Sequence, residues 1–245
     1  GDTNHIVNTV INGSQPAFPD SGSVVILTSG EDTTSVLCGF TITGGNGTVV
    51  TVASARAGGG VFIQYSGGKL LNNHIENNIV SYDNWTIGGG ICAGGQVTPL
   101  PWVVLRGNRI VNNKAISNTN EADGGGVESY YNLIMTDNQI SYNEVNGPFR
   151  GDGGGVRLRT DHGHVEIDVR NNTITYNKAV SNSGITDLVI SGGLDLFWDA
   201  SGTVSNNEIS FNEIEVAAGK WGYGTGVLVE LQDMPAPDFV FENNI

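Results

Sequence analysis

The feature that most constrains this chain is a spaced motif, Asn-x-Ile-x-x-Asn, which occurs five times without a mismatch. Its first Asn is Asn73, Asn108, Asn138, Asn172 or Asn207, and its second is Asn78, Asn113, Asn143, Asn177 or Asn212. A sixth copy opens at Asn244 and meets the chain end, and "GFTITGG" keeps the Ile position at Ile42. A second element runs out of phase with the first. It reads "GGGV" at 58–61, "GGGI" at 88–91 and "GGGV" at 124–127 and 153–156, then decays to "SGGL" at 191–194 and "GTGV" at 224–227. The two elements share a period near 33 residues. Self-similarity at such a period is the signature of a stacked repeat.

A third column lies three residues before each first Asn: Leu70, Leu105, Met135, Val169, Val204 and Phe241. Val103, Leu133, Ile167 and Phe239 stand two residues further back, which is the period of a strand with one buried face. Two mostly polar residues, such as Arg170-Asn171, then break the parity and mark a corner. Each repeat therefore reads as three short strands and no helix. One such unit cannot bury its apolar faces, whereas stacked coils can. The expectation is an all-β, right-handed parallel β-helix of about seven coils, with the hand taken from the preference of parallel crossovers. It is expected to form a single domain over residues 1–245. Stacked Asn side chains can bond to one another and to turn backbone, so Asn73, Asn108, Asn138, Asn172 and Asn207 read as a structural ladder. Gly-Gly-Gly allows a sharp bend and close approach of coils.

At these residues the sequence resembles bacterial right-handed parallel β-helix proteins of the pectate-lyase-like superfamily. Within them it is similar to polymorphic outer membrane protein-like repeats, which pair Gly-Gly-Ala-aliphatic with Phe-x-x-Asn. Here "GGGV" pairs with "ISYN", "ITYN" and "ISFN", so Gly replaces Ala and Ile replaces Phe. The resemblance implies a secreted or cell-surface, adhesin-like protein. It also implies that the chain is part of a longer one, with open ends suited to end-to-end self-association.

Composition narrows the partners. A net charge of −14, with 11 basic residues, disfavours phosphate-rich partners, so neither nucleic acid nor an anionic membrane surface is expected, and no apolar run reaches transmembrane length, so membrane insertion is not expected either. Two Cys, Cys38 and Cys92, do not make a disulfide scaffold and are expected to be apart and reduced.

Chemistry on a solenoid lives on its outward positions and long loops. Directly after the Gly-Gly-Gly-aliphatic element, the outward column includes Glu128, Arg157 and Asp195, beside Tyr130, Arg159 and Phe197. This face is the candidate catalytic or ligand-binding wall. Arg would bind carboxylates or act as base, carboxylates would act as acids or hold calcium, and aromatics would stack on sugars. Resemblance to the pectate-lyase class implies such a wall. An alternating-charge ladder that stabilises the sheet is the competing reading. Trp85, Trp198 and Trp221 flank the face on loops, as sugar platforms or as anchors. The "TDHGHVE" segment at 160–166 adds His162 and His164 as acid/base or metal candidates, or as an ordinary turn. The function expected is non-catalytic binding or display toward a polysaccharide or cell-surface glycan. The alternative is a polysaccharide lyase, glycoside hydrolase or epimerase with its cleft on the Glu128–Arg157–Asp195 face.

Overall fold

The computed structural model describes residues 3–160, 163–181, 188–197, 199–218, 221–230 and 239–245. The chain is a β-solenoid of about six turns, built from five sheets of five to eight strands each. Every repeat strand pairs in parallel with its equivalent one turn away. In one turn the order is Glu121–Asp123, Val127–Ser129, Asn132–Thr136, Gln139–Ser141 and Glu144–Asn146. Register follows the sequence columns: Ile75 pairs with Ile110, Ile110 with Ile140, and Ile140 with Ile174. A six-residue helix, Thr3–Asn8, precedes the first turn.

Where three strands per turn were expected, five form, and the packing gives the reason. The three expected strands enclose a main lumen filled by Leu70, Leu105, Met135, Val169 and Val204 against the Ile column and Val61, Ile91, Val127 and Val156. The other two, represented by Glu144–Asn146 and Glu121–Asp123, close a narrow side lobe. Its core is Ala115, Ala122, Val145 and Ala179. The two walls of the lobe sit so close that a Cβ on Gly151 would lie 2.5 Å from the Val180 carbonyl oxygen. Small inward residues carry little hydrophobic contrast, so this lobe is faint in the sequence pattern.

The polar corner before each first Asn forms as expected. A left-handed residue stands immediately before it: Asn72, Gly107, Asp137, Asn171 and Asn206. A second left-handed residue precedes each second Asn, and in three turns it is Tyr142, Tyr176 or Phe211. The ladder Asn are therefore not the left-handed residues of these corners; their neighbours are. The exposed Tyr142, Tyr176 and Phe211 rings stack with centroids 5.1 and 5.0 Å apart. Stacking of this kind stabilises by roughly 0.5–1.5 kcal/mol per pair, which offsets the strain of a bulky residue at positive φ.

Both Asn columns are continuous ladders. Asn138 Nδ2 donates to Asn172 Oδ1 at 2.9 Å and to the Leu105 carbonyl at 2.9 Å, while Asn172 Oδ1 also accepts the Asn138 backbone N–H at 3.0 Å. The same pattern links Asn73, Asn108, Asn138, Asn172, Asn207 and Asn244, and in parallel Asn78, Asn113, Asn143, Asn177 and Asn212. These side chains satisfy backbone groups at the two corners, where sheet pairing is interrupted.

The glycine element does two jobs. Its first residue is left-handed, with φ +59° at Gly124 and +65° at Gly153. Its middle residue touches the next turn: a Cβ on Gly125 would lie 2.3 Å from the Gly154 carbonyl oxygen. The bend at the first glycine folds the side lobe back beside the main lumen and leaves a re-entrant corner between them.

Candidate functional site

That corner decides the fate of the expected wall. Phe62, Cys92, Glu128, Arg157 and Asp195 do point away from the lumen, in register along one sheet. They are nevertheless buried, with Glu128 and Asp195 at 0 % exposure and Arg157 at 1 %. The column immediately before Gly-Gly-Gly, including Ala57, Ile87, Asp123 and Asp152, faces them across the bend. A Cβ on Gly124 would meet Glu128 Cβ at 2.7 Å and Oε2 at 2.8 Å, so position 128 lies directly under the turn. The wall is thus a filled seam rather than an open groove.

In the middle turns the seam is filled by charge. Arg157 Nη1 is ion-paired with Asp123, Nη2 lies 2.9 Å from Asp152 Oδ2, and Nε donates to Asp195 Oδ2 at 3.1 Å. Arg150 Nε approaches Asp152 Oδ2 at 2.5 Å, and Arg159 Nη1 stands 3.6 Å from Asp123 Oδ2. Trp85 Nε1–H donates to Asp123 Oδ2 at 2.6 Å. The Arg159 guanidinium carbon sits 5.6 Å from the Trp85 ring centre, 5.5 Å from Tyr130 and 5.9 Å from Phe197. Arg157 lies 5.8 Å from Phe197.

Glu128 is the exception in this network. Both its carboxyl oxygens are buried without a hydrogen-bond partner among the described residues. Burial pushes its pKa well above the usual carboxylate range; Arg157 opposes the shift, while Asp123 and Asp195 reinforce it. This burial favours the neutral form of Glu128 over the charged one. Burial likewise raises Asp195 to about 7 against the pull of Arg157. It raises Asp152 to about 6, again against Arg157. Burial by itself would lower Arg157, but Asp123, Asp152, Glu128 and Asp195 more than offset this and hold its pKa well above the usual value.

In the first turns the same seam is apolar and incompletely filled, leaving a cleft of about 590 Å³. Ala57, Phe62, Ile87 and Cys92 form its buried floor, and Trp85 and Tyr130 its walls. Gln64, Tyr65 and Gln96 stand at the mouth. A hairpin supplies the remaining side: Gly47–Val50 pairs antiparallel with Ala55–Ala57, and Val52 at its tip is exposed. Among the described residues no charged side chain lines the cleft. The hairpin breaks the repeat, so sequence reasoning from the columns did not find this side of the site.

The other candidates fall elsewhere. Trp85 and Tyr130 join the cleft, Arg159 and Phe197 stand behind it, and Trp221 is exposed away from it. His162 and Trp198 lie outside the described residues. His164 is held by Asp199 at 2.7 Å and Ser201 at 2.8 Å. Among the described residues no three His, Cys, Asp or Glu side chains gather in a way that could hold a metal ion, calcium included. Cys38 and Cys92 are unpaired. Asp123 and Asp152 each stand immediately before a Gly-Gly-Gly element in the sequence; that they close on Arg157 depends on the glycine bend. Comparison with protein-family profiles, with curated proteins and with solved structures finds no match.

Proposed function

We propose that this chain is a non-catalytic binding solenoid that holds a polysaccharide or cell-surface glycan at the cleft beside Trp85 and Tyr130. One observation carries the reading: the acids and arginines that could turn over a sugar are sealed into a paired seam, while the open cleft beside them is aromatic, amide-rimmed and uncharged among the described residues. Aromatic faces with a few convergent polar groups suit sugar rings, and about 590 Å³ lies within the roughly 300–1,000 Å³ usual for ligand pockets. A glycosidase needs two carboxyl groups reachable from an open groove, whereas Glu128, Asp123, Asp152 and Asp195 are all buried, and a lyase needs an arginine open to substrate, whereas Arg157 is buried with them. The pairing of Gly-Gly-Gly-aliphatic with Ile-x-Tyr-Asn supports a right-handed coil and a place among secreted or surface-displayed bacterial β-helix proteins.

The test is retention of the protein on immobilised pectate, alginate, xylan and chitin, with an assay for newly formed reducing ends. Retention without chain shortening, lost in both Trp85→Ala and Gln96→Ala, is the expected result. Chain shortening would make the protein an enzyme; absence of retention on every polymer would remove the glycan.

A further inference from the structure

We infer that the deep end of the cleft receives an uncharged apolar group, an acyl or aryl substituent, while the mouth holds the polar remainder of the ligand. This rests on the reading that the cleft is the ligand site, and it adds what kind of group the site admits.

Three observations converge. The floor is wholly apolar: Ala57, Phe62, Ile87 and Cys92 are all buried, and none offers a strong hydrogen-bonding group. A bare sugar ring driven onto this floor would strand its hydroxyls without hydrogen-bond partners. Polar groups instead stand at the mouth, where Gln64 is half-buried and Tyr65 and Gln96 are exposed. The polarity therefore changes along the depth of the cleft, from oil-like to amide-rimmed, which matches an amphipathic guest.

Charge excludes the other large class of ligand. An anionic group would find no cation in the lining among the described residues. The guanidinium groups of the seam are already committed, Arg157 to Asp123, Asp152 and Asp195, and Arg159 to Asp123 and three aromatic rings. The chain as a whole carries −14, which disfavours anions further. A cationic group would meet an acidic protein, but the floor offers no carboxylate, since Asp123 is buried behind Trp85 and Glu128 does not line the cleft. Backbone packing keeps the walls in place. A Cβ on Gly94 would meet the Tyr130 ring at 2.9 Å, and one on Gly95 would meet the Tyr65 ring at 2.8 Å, so both rings lie flush against glycine.

The experiment compares two fluorescent probes of one skeleton on the intact chain: N-phenylnaphthylamine, which is uncharged, and anilinonaphthalene sulfonate, its anionic counterpart. The neutral probe is expected to bind at least about tenfold more tightly, a difference of about 1.4 kcal/mol. Filling the floor with Cys92→Phe should abolish that binding. Gln64→Lys, at the mouth and tolerant of a longer side chain, should instead raise sulfonate affinity about tenfold by supplying the missing cation. Equal affinity of the two probes for the wild-type protein would overturn the inference. Neutral-probe binding indifferent to Cys92→Phe would overturn it too, by placing the probe on the exposed apolar ends of the solenoid. If the probe results hold while no polymer is retained, the glycan reading falls and the preference of the cleft stands.

Discussion

Replacing Asp195 by Asn tests the central electrostatic argument, because Asn has the shape of a protonated Asp and still offers Arg157 Nε–H an acceptor. The Asp195 pKa rises from an ordinary 3.8 to about 7 because burial penalises the anion more than Arg157 rewards it. The native state therefore keeps this proton after the unfolded chain has lost it. Stability rises with pH only where the unfolded state binds more protons; here the native state binds more, so stability falls as pH climbs from about 4 to about 7 and is level above. At 1.36 kcal/mol per unit, the full loss is roughly 4 kcal/mol, of which roughly 3 kcal/mol falls between pH 5 and pH 8. The amide of Asp195→Asn does not ionise and carries no such penalty. Denaturant unfolding of both proteins at half-unit pH steps gives the difference directly. Asp152 also titrates within this window, so the readout is the difference between the two proteins, in which its contribution largely cancels. Asp195→Asn should gain roughly 3 kcal/mol on the wild type between pH 5 and pH 8, or roughly 6–12 °C in Tm for a chain of this size. Parallel curves would refute the reasoning and show that the Arg157 ion pair outweighs burial.

Three further outcomes are expected. Glu128→Gln should change stability at pH 7 by less than about 1 kcal/mol, since burial favours the neutral form of this carboxyl and both its oxygens lack a hydrogen-bond partner among the described residues; a loss of several kcal/mol would mean that Glu128 is an ion-pair partner. Asn172→Leu strands the Asn138 backbone N–H and takes the side-chain donor from the Met135 carbonyl, while Asn207 Oδ1 keeps the backbone N–H of residue 172. At roughly 1–3 kcal/mol per buried orphan, it should lower the melting temperature markedly while leaving neutral-probe affinity unchanged in the folded fraction. Gly125→Ala drives a methyl group to 2.3 Å from the Gly154 carbonyl oxygen and should cost roughly 1–3 kcal/mol by overpacking, whereas Gly30→Ala, where a Cβ meets nothing, isolates the backbone penalty of φ +82°.

The three repeated columns carried the scaffold openly. Ile75, Ile110, Ile140 and Ile174 recur at one place in the motif, and they pair in register because only that stacking buries them all. The Asn ladders were legible for the same reason: a polar side chain repeated in phase with a core position must meet its own copies. The corners at Tyr142, Tyr176 and Phe211 were not legible, since aromatic residues do not advertise a left-handed backbone. The side lobe was not either, because Ala115, Ala122 and Ala179 look neither like core nor like surface.

The candidate site divides in the same way. Alternation along a strand, a local property, put Glu128, Arg157 and Asp195 on the face away from the lumen, and the order of residues alone sufficed for that. Whether such a face meets water is a non-local matter. It was decided by the left-handed bend at Gly124 and Gly153, which brings Asp123 and Asp152 across the corner onto Arg157 and turns an outward wall into a buried charge network. The same bend, with smaller and apolar residues in the earlier turns and a hairpin that obeys no repeat, leaves the cleft. Residue spacing fixes which side chains share a column; only the path of the backbone between columns fixes which columns close on each other and which stay open.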